Sequence, residues 1–375
     1  MHLTVASIVS ATVVLVSPFM GQLQSYLRRT LSTEQYVLVF GVGVLGAVGV
    51  ATLIAFLRIR ERRIARLGLL VVALLFGGGY MWATATPYAD VNAVERVHFV
   101  SYGLIAFLFY RVWRSAGDPS SILLPLLVGF MVGTLDEWLQ WFIPYRVGEA
   151  HDVFLNLASI GCGVLFGIAL NPPASFAWRL ETASGVRLGF ISALAFLAFA
   201  GFVGQVHVGH IVELEEGGRF RSHYTAEQLR SMQQQRMVQW RTQPPIRIAR
   251  LSREDQYLDE ALWHVRRRNT AEPRDAWYEN LILERFFAPV LDRPTYAAPE
   301  GARWPAEQRV NVQAAVPAST EPFVSTAEAY PILDWPKAIY WPVAIAVAVL
   351  LMVLPRAFAR PAPRSDSSRS SPLAS

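Results

Sequence analysis

The sequence predicts an all-α polytopic membrane protein that carries one water-soluble segment. Hydrophobic residues make up 53% of the 375 positions and charged residues only 17%, whereas a soluble globular domain carries about 25% charged residues. The apolar residues are grouped in long runs, and the arginines concentrate in short loops beside them. The net charge of +5 therefore fits orientation in a membrane, and no nucleic-acid partner is expected.

Eight apolar runs satisfy the requirement of about 20 residues for a membrane-spanning helix. The predicted spans are 3–21, 36–57, 67–86, 96–113, 121–142, 153–170, 187–206 and 338–355. Serine and threonine residues make the first run the weakest of the eight. Because no basic residue precedes it, we expect an uncleaved first span and not a signal peptide.

The distribution of arginines predicts the orientation of the chain. The loops after the second, fourth and sixth spans, together with the C-terminal tail, carry Arg58, Arg60, Arg62, Arg63, Arg66, Arg111, Arg114, Arg179, Arg187, Arg356, Arg360, Arg364 and Arg369. Arg28 and Arg29 are the main exception on the opposite side. Since basic loops remain in the cytoplasm, both termini are expected to be cytoplasmic.

The segment 207–336 has no spanning run and is predicted to form an extracytoplasmic, mainly helical domain. Thr225 and Gln228 have the spacing of a capping box before a helix that runs to about Trp240. Further helices are expected from Ser252 and Asp255, and over 275–288, with apolar residues at helical spacing. A short strand is expected near Val310 and Val312, and a disordered tail after Pro355.

Polar side chains lie at helical spacing within the fourth, fifth and sixth spans or at their ends. Residues three or four apart share a helix face, and the residues concerned are Glu95, His98, Tyr102, Glu137, Gln140, Asp152 and Asn156, with Arg146 in the loop between. In the predicted topology they converge near the outer surface of the membrane. Ionisable groups are costly in hydrocarbon and usually line a cavity or pathway, so we treat these eight residues as ligand-binding candidates.

The order of these residues resembles the VanZ-like family of membrane proteins. The resemblance rests on an acidic-basic pair followed by His98 and Tyr102, then Glu-x-x-Gln, Pro-x-Arg and Asp-x-x-x-Asn, and it covers 67–170. Glu95 and Arg96 stand where the family usually has Asp-Lys, and Ser159 replaces a glycine. The resemblance implies a VanZ-like four-helix core in a protein of the bacterial inner (cytoplasmic) membrane. The family's founding member is associated with glycopeptide resistance.

The resemblance and the spans together divide the chain into five parts. These are two N-terminal transmembrane helices (1–66), the VanZ-like core (67–170), a seventh transmembrane helix (171–206), the outer domain (207–336), and a last helix with a cytoplasmic tail (337–375).

Several functions are compatible with this pattern. The polar groups either hold the helices together by hydrogen bonds or bind a lipid-linked cell-wall precursor, a lipid head group or a glycopeptide at the outer leaflet. A membrane enzyme with His98 or Glu137 as base is an alternative, as is a scaffold that recruits a protein through 207–336. A proton-coupled transporter is disfavoured because no inverted repeat is visible. No metal or other cofactor is expected, since His98 has only His151 as a possible second histidine ligand.

Overall fold

The structure, a computed structural model, describes residues 1–143, 146, 148–247, 255–317, 321–328 and 331–359. Within these residues, eight helices are long and apolar enough to cross a membrane, which confirms the predicted spans. The first seven are α1 His2–Thr30, α2 Thr33–Arg58, α3 Arg63–Ala83, α4 Ala89–Trp113, α5 Ser120–Trp141, α6 Ala150–Leu170 and α7 Thr182–Val206.

Helix α1 extends nine residues beyond its predicted apolar run because hydropathy detects the span and not the helix end. Its last turns contain Arg28 and Arg29, which are helical but polar. Ser32 is the N-cap of α2, and its hydroxyl accepts a hydrogen bond from the Gln35 amide at 3.2 Å. The Gln35 side chain accepts the Ser32 amide in return at 3.1 Å, which completes a capping box.

The bundle is centred on α4 and α6, which pack more extensively against each other than any other pair of elements. Small residues permit this approach: a Cβ added to Gly163 would overlap the backbone of Gly103. Buried residues on either side include Ile105, Tyr110 and Val164. Helix α3 packs on α6, α5 and α1 pack on α4, and α7 packs on α5.

The described residues after α7 form a domain with four short strands and five helices. In chain order they are β1 Val208–Glu213, β2 Gly218–Ser222, α8 Ala226–Gln239, α9 Gln256–Thr270, α10 Pro273–Phe286, α11 Ala288–Asp292, α12 Ala306–Ala314, β3 Phe323–Val324 and β4 Leu333–Asp334. The sheet order is β3-β2-β1-β4. Strands β1 and β2 are antiparallel, and the two outer strands run parallel to their neighbours. The eighth membrane helix, α13 Lys337–Phe358, packs on α7.

Two of the predicted outer helices begin at side chains that cap them. Thr225 and Gln228 form the expected capping box at the start of α8. Asp255 accepts the Tyr257 amide at 2.9 Å at the start of α9, while Ser252 lies outside the described residues. The third predicted helix corresponds to α10, which begins with Pro273 at its first position.

The strand expected near Val310 and Val312 is wrong, because both valines lie in α12. Pro305 precedes this helix, and Arg309 bonds Glu284 on α10 at 3.0 and 3.1 Å, so tertiary pairing favours a helix there. The observed sheet was not predicted, since β1 continues directly from an apolar span and β3 and β4 have two residues each.

The disordered tail predicted after Pro355 is wrong for residues 356–358, which continue α13. Its remainder from residue 360 lies outside the described part of the chain.

Candidate functional site

The polar residues of α4, α5 and α6 meet at one end of the bundle in two layers. The deeper layer contains Tyr102, Asp136, Glu137, Gln140 and Asn156, whose exposed fractions lie between 0 and 4%. A shallower, half-buried layer lies above it and contains Glu95, His98 and Asp152.

Gln140 is the centre of the deep layer. Its amide nitrogen donates to Asp136 at 3.1 Å and to Glu137 at 3.0 Å, so two adjacent carboxylates share one donor. Asp136 also accepts the Tyr102 hydroxyl at 2.7 Å, which links α5 to α4. The amide oxygen of Gln140 accepts a hydrogen bond from Arg146 in the α5–α6 loop.

His98 and Asn156 join α4 to α6. The His98 Nδ1 atom lies 2.8 Å from the Asn156 amide oxygen, which makes Nδ1–H the donor. Gly133 provides the room for Asn156, since a Cβ at position 133 would lie 3.0 Å from the Asn156 Cβ. The Tyr102 ring stacks one turn below His98, with ring centroids 5.8 Å apart.

Four buried polar atoms of this cluster have no hydrogen-bond partner among the described residues. They are Asp136 Oδ1, Glu137 Oε2, Asn156 Nδ2 and Arg146 Nε. Leaving a buried polar atom unpaired costs about 1–3 kcal/mol. Four such atoms in one cluster are therefore positioned to bind a ligand or ordered water.

The half-buried layer is predominantly acidic. Glu95 interacts electrostatically with Asp152, His151 and His98. Glu149, which precedes α6, also interacts with Asp152; burial and then this carboxylate raise the pKa of Glu149 above its ordinary value. Glu95, Glu149 and Asp152 therefore form an acidic group at this end of the bundle.

Part of the chain matches a known protein family. The family model described as VanZ/LLP1 matches residues 11–171, which include all the helices that form the cluster. The chain carries a VanZ-like membrane region over residues 11–171. No curated protein and no solved structure matches the chain.

The VanZ-like region extends further toward the N-terminus than the 67–170 resemblance, and α1 takes part in the site. Arg146 passes over α1 at Gly21, where an added Cβ would lie 3.2 Å from the arginine Cδ. Its guanidinium also lies 3.5 Å from the Gln24 side-chain oxygen.

The VanZ-like cluster lies at the end of the bundle that is next to the domain of residues 207–336. The Ala150 amide at the start of α6 donates to His207 Nε2 at 3.1 Å, and His207 Nδ1 lies 3.0 Å from the Pro331 carbonyl oxygen. His207 therefore connects the helix that carries Asp152 and Asn156 with the strand that follows α7. Burial lowers the pKa of His207, because the charged imidazole would lose its hydration.

All eight candidate residues lie at this end of the bundle. Hydrogen bonds join His98, Tyr102, Gln140, Asn156 and Arg146 to a partner in the cluster; Glu137 is linked through Gln140, while Glu95 and Asp152 interact electrostatically. Asp136 belongs with them, although it was not among the candidates. Its position one residue before Glu137 and four before Gln140 was the available signal.

Gln24 and His207 could not be found from their local sequence, since each contacts a residue more than 50 positions away. Across the described residues, no group of three or more His, Cys, Asp or Glu side chains is placed to hold a metal ion.

Proposed function

We propose that this VanZ-like protein binds a polar ligand at the outer leaflet of the bacterial cytoplasmic membrane. The main support for this proposal is the set of unpaired buried atoms on Asp136, Glu137 and Asn156, which lie below a half-buried acidic layer. Interhelical hydrogen bonds would hold the bundle equally well without unpaired atoms. A ligand that supplies donors to the carboxylates and an acceptor to Asn156 would satisfy them.

The acidic character of the cluster favours one of the three ligand classes that the sequence suggested. Among the described residues, the carboxyl groups of Glu95, Asp136, Glu137 and Asp152 outnumber the one guanidinium that bonds to the cluster, that of Arg146. Such a site favours a cationic or donor-rich group, as in the amines of a glycopeptide, and repels the diphosphate of a lipid-linked precursor. We therefore propose a glycopeptide-type ligand first, and with it a role in antibiotic resistance.

The outward orientation is supported by the arrangement of the basic loops. The cluster lies where α4 and α6 begin, whereas Arg58, Arg111 and Arg114 lie where α2 and α4 end. Basic residues favour the cytoplasmic side. We expect protease added to intact spheroplasts to cleave within 207–336, and protection of this domain would contradict the orientation.

The binding test uses the full-length protein in nanodiscs with a fluorescent glycopeptide antibiotic as probe. Glu137→Gln replaces a buried carboxyl group with an amide of the same shape, and we expect it to weaken binding at least about tenfold. Glu34→Gln is the matched control, because Glu34 is an exposed acid in the first turn of α2 at the same end of the bundle.

A polyprenyl diphosphate serves as the competing probe. Binding of the diphosphate in preference to the glycopeptide would contradict the charge argument. Equal glycopeptide binding by wild type and Glu137→Gln would remove the cluster from the binding site.

An enzyme acting on a lipid-linked envelope substrate is the second candidate. It is favoured by one observation, the pair of adjacent carboxylates on a shared Gln140 donor, which is suited to proton transfer. Mass spectrometry of a lipid-linked substrate incubated with the protein tests it. Turnover by wild type that is lost in both Asp136→Asn and Glu137→Gln would establish this function, and an unchanged substrate would exclude it.

A further inference from the structure

A second cleft lies on the opposite flank of the bundle from α5 and α7. It has a volume of about 590 Å³ and is lined by residues of α2, α3, α4 and α6. Helix α2 packs on α4 and α3 packs on α6, so α2 and α3 form the walls and the other two helices form the floor. None of the polar candidate residues lines this cleft.

The cleft is apolar along its length and open on its outer side. Ile54, Leu74 and Leu104 line it and remain 44%, 44% and 47% exposed. Its floor includes Gly103 and Gly163, where α4 and α6 approach each other closely. A narrow apolar groove that faces the membrane is complementary to a hydrocarbon chain.

Two arginines occupy one end of the cleft. Arg58 is the last residue of α2 and Arg111 lies in the last turn of α4, so both reach the same face of the bundle. Arg58 is exposed and Arg111 is half-buried. Neither guanidinium forms a hydrogen bond or an ion pair with another described residue. Arg66 nearby is different, because it donates to the Ala169 and Leu170 carbonyl oxygens at 2.7 Å each.

We propose that this cleft binds an anionic phospholipid, with an acyl chain between α2 and α3 and the phosphate on Arg58 and Arg111. An apolar groove that ends in two unpaired guanidinium groups matches the two parts of such a lipid. A helix from a second copy fits less well, because its apolar face would not supply an anion to the arginines.

The test uses the full-length protein reconstituted with equal amounts of phosphatidylglycerol and phosphatidylcholine. Native mass spectrometry after release from the bilayer measures the lipid that remains bound. We expect wild type to retain phosphatidylglycerol in preference. The double variant Arg58→Gln/Arg111→Gln should retain at least about fivefold less of it, since each basic residue contributes about that factor at a membrane surface.

A matched double variant controls for the loss of charge. Arg60→Gln/Arg114→Gln removes two exposed arginines from the same face of the bundle, and neither residue lines the cleft. This variant should retain phosphatidylglycerol as wild type does. An equal loss in the two double variants would show general surface attraction and would overturn the site.

A pair of glycine variants tests the groove independently of the arginines. Gly78 lines the cleft, Gly79 does not, and an added Cβ meets nothing within 4 Å at either position. Gly78→Leu should displace the bound lipid while Gly79→Leu retains it. The proposal is overturned if both glycine variants bind lipid as wild type does, if both phospholipids bind equally, or if a protein dimer without lipid is released.

Discussion

Buried and half-buried acidic residues have different surroundings in the VanZ-like bundle and in the domain of residues 207–336, which is predicted to face outward and is called the outer domain below. In the outer domain, Glu284 accepts hydrogen bonds from Arg309 and Asn280. Burial alone would raise the pKa of Glu284, but these bonds outweigh it and the pKa lies below its ordinary value. In the bundle, Asp136 and Glu137 share the neutral amide of Gln140 and each retains an unpaired oxygen.

The same contrast extends to the most deeply buried groups of each region. Glu279 in the outer domain bonds both His264 and Ser325 at 2.6 Å and uses both carboxylate oxygens. We expect the fully bonded Glu279 to stabilise the fold of its domain, whereas Asp136 and Glu137 are proposed to bind a ligand; unpaired oxygens are not confined to the bundle, since Glu260 Oε1 in the outer domain is also buried without a partner among the described residues. Four predictions test this contrast, and the expected effect decreases from the first to the last.

The largest effect on stability is expected in the outer domain. Glu279→Ala leaves buried His264 and Ser325 without their partner, so the free energy of unfolding should fall by about 3 kcal/mol. Hydrogen exchange of the α9 and α10 amides measures it in the full-length protein. Glu300→Ala, at an exposed acid of the same domain, should change it by less than about 0.5 kcal/mol; equal effects would show that the buried pair is not stabilising.

A smaller effect is expected from packing within the bundle. Gly163→Ala places a Cβ against the backbone of Gly103 and should destabilise the bundle by about 2 kcal/mol. Gly161→Ala, two residues earlier, meets only a Phe76 ring carbon at 3.8 Å and should be neutral or stabilising. Unfolding in mixed micelles distinguishes the two variants, and similar values would remove the α4–α6 approach as the source of stability.

Glu137→Gln should change the stability of the bundle by less than about 1 kcal/mol, because the amide oxygen still accepts from Gln140 and the unpaired Oε2 is replaced by a nitrogen. The same unfolding measurement applies. A loss as large as that of Glu279→Ala would mean that Glu137 holds the bundle together, and the contrast between the two regions would fail.

The smallest effect concerns pH at the junction of the two regions. His207 accepts the Ala150 amide and donates to Pro331, so only the neutral imidazole satisfies both contacts. Its folded pKa is lowered, and therefore its contribution to stability is complete above the ordinary value of about 6.5 and decreases as the pH falls below it.

Exchange of the Ala150 amide hydrogen measures this contact. Corrected for the intrinsic rate, exchange should accelerate between pH 7 and 5.5 in wild type. His207→Gln, which can still donate and accept, should show a smaller change. The same pH response in both proteins would assign the effect to another group.

The sequence by itself determined the membrane spans, because about 20 consecutive apolar residues have no other stable environment. It also identified Thr225 and Gln228 as the capping box of α8, because the two residues are three positions apart, whereas the box that Ser32 and Gln35 form at the same spacing was not predicted. Helical spacing placed His98 with Tyr102 and Glu137 with Gln140 on shared faces.

Tertiary structure decided everything that depends on contacts between distant residues. The bonds from Tyr102 to Asp136 and from His98 to Asn156 cross between helices, and the sheet pairs strands more than 100 residues apart. Helix periodicity fixes which side chains share a face, but which faces meet depends on packing, such as the close approach at Gly103 and Gly163. That packing leaves the carboxylates of α5 buried with unpaired oxygens, and no local pattern encodes it.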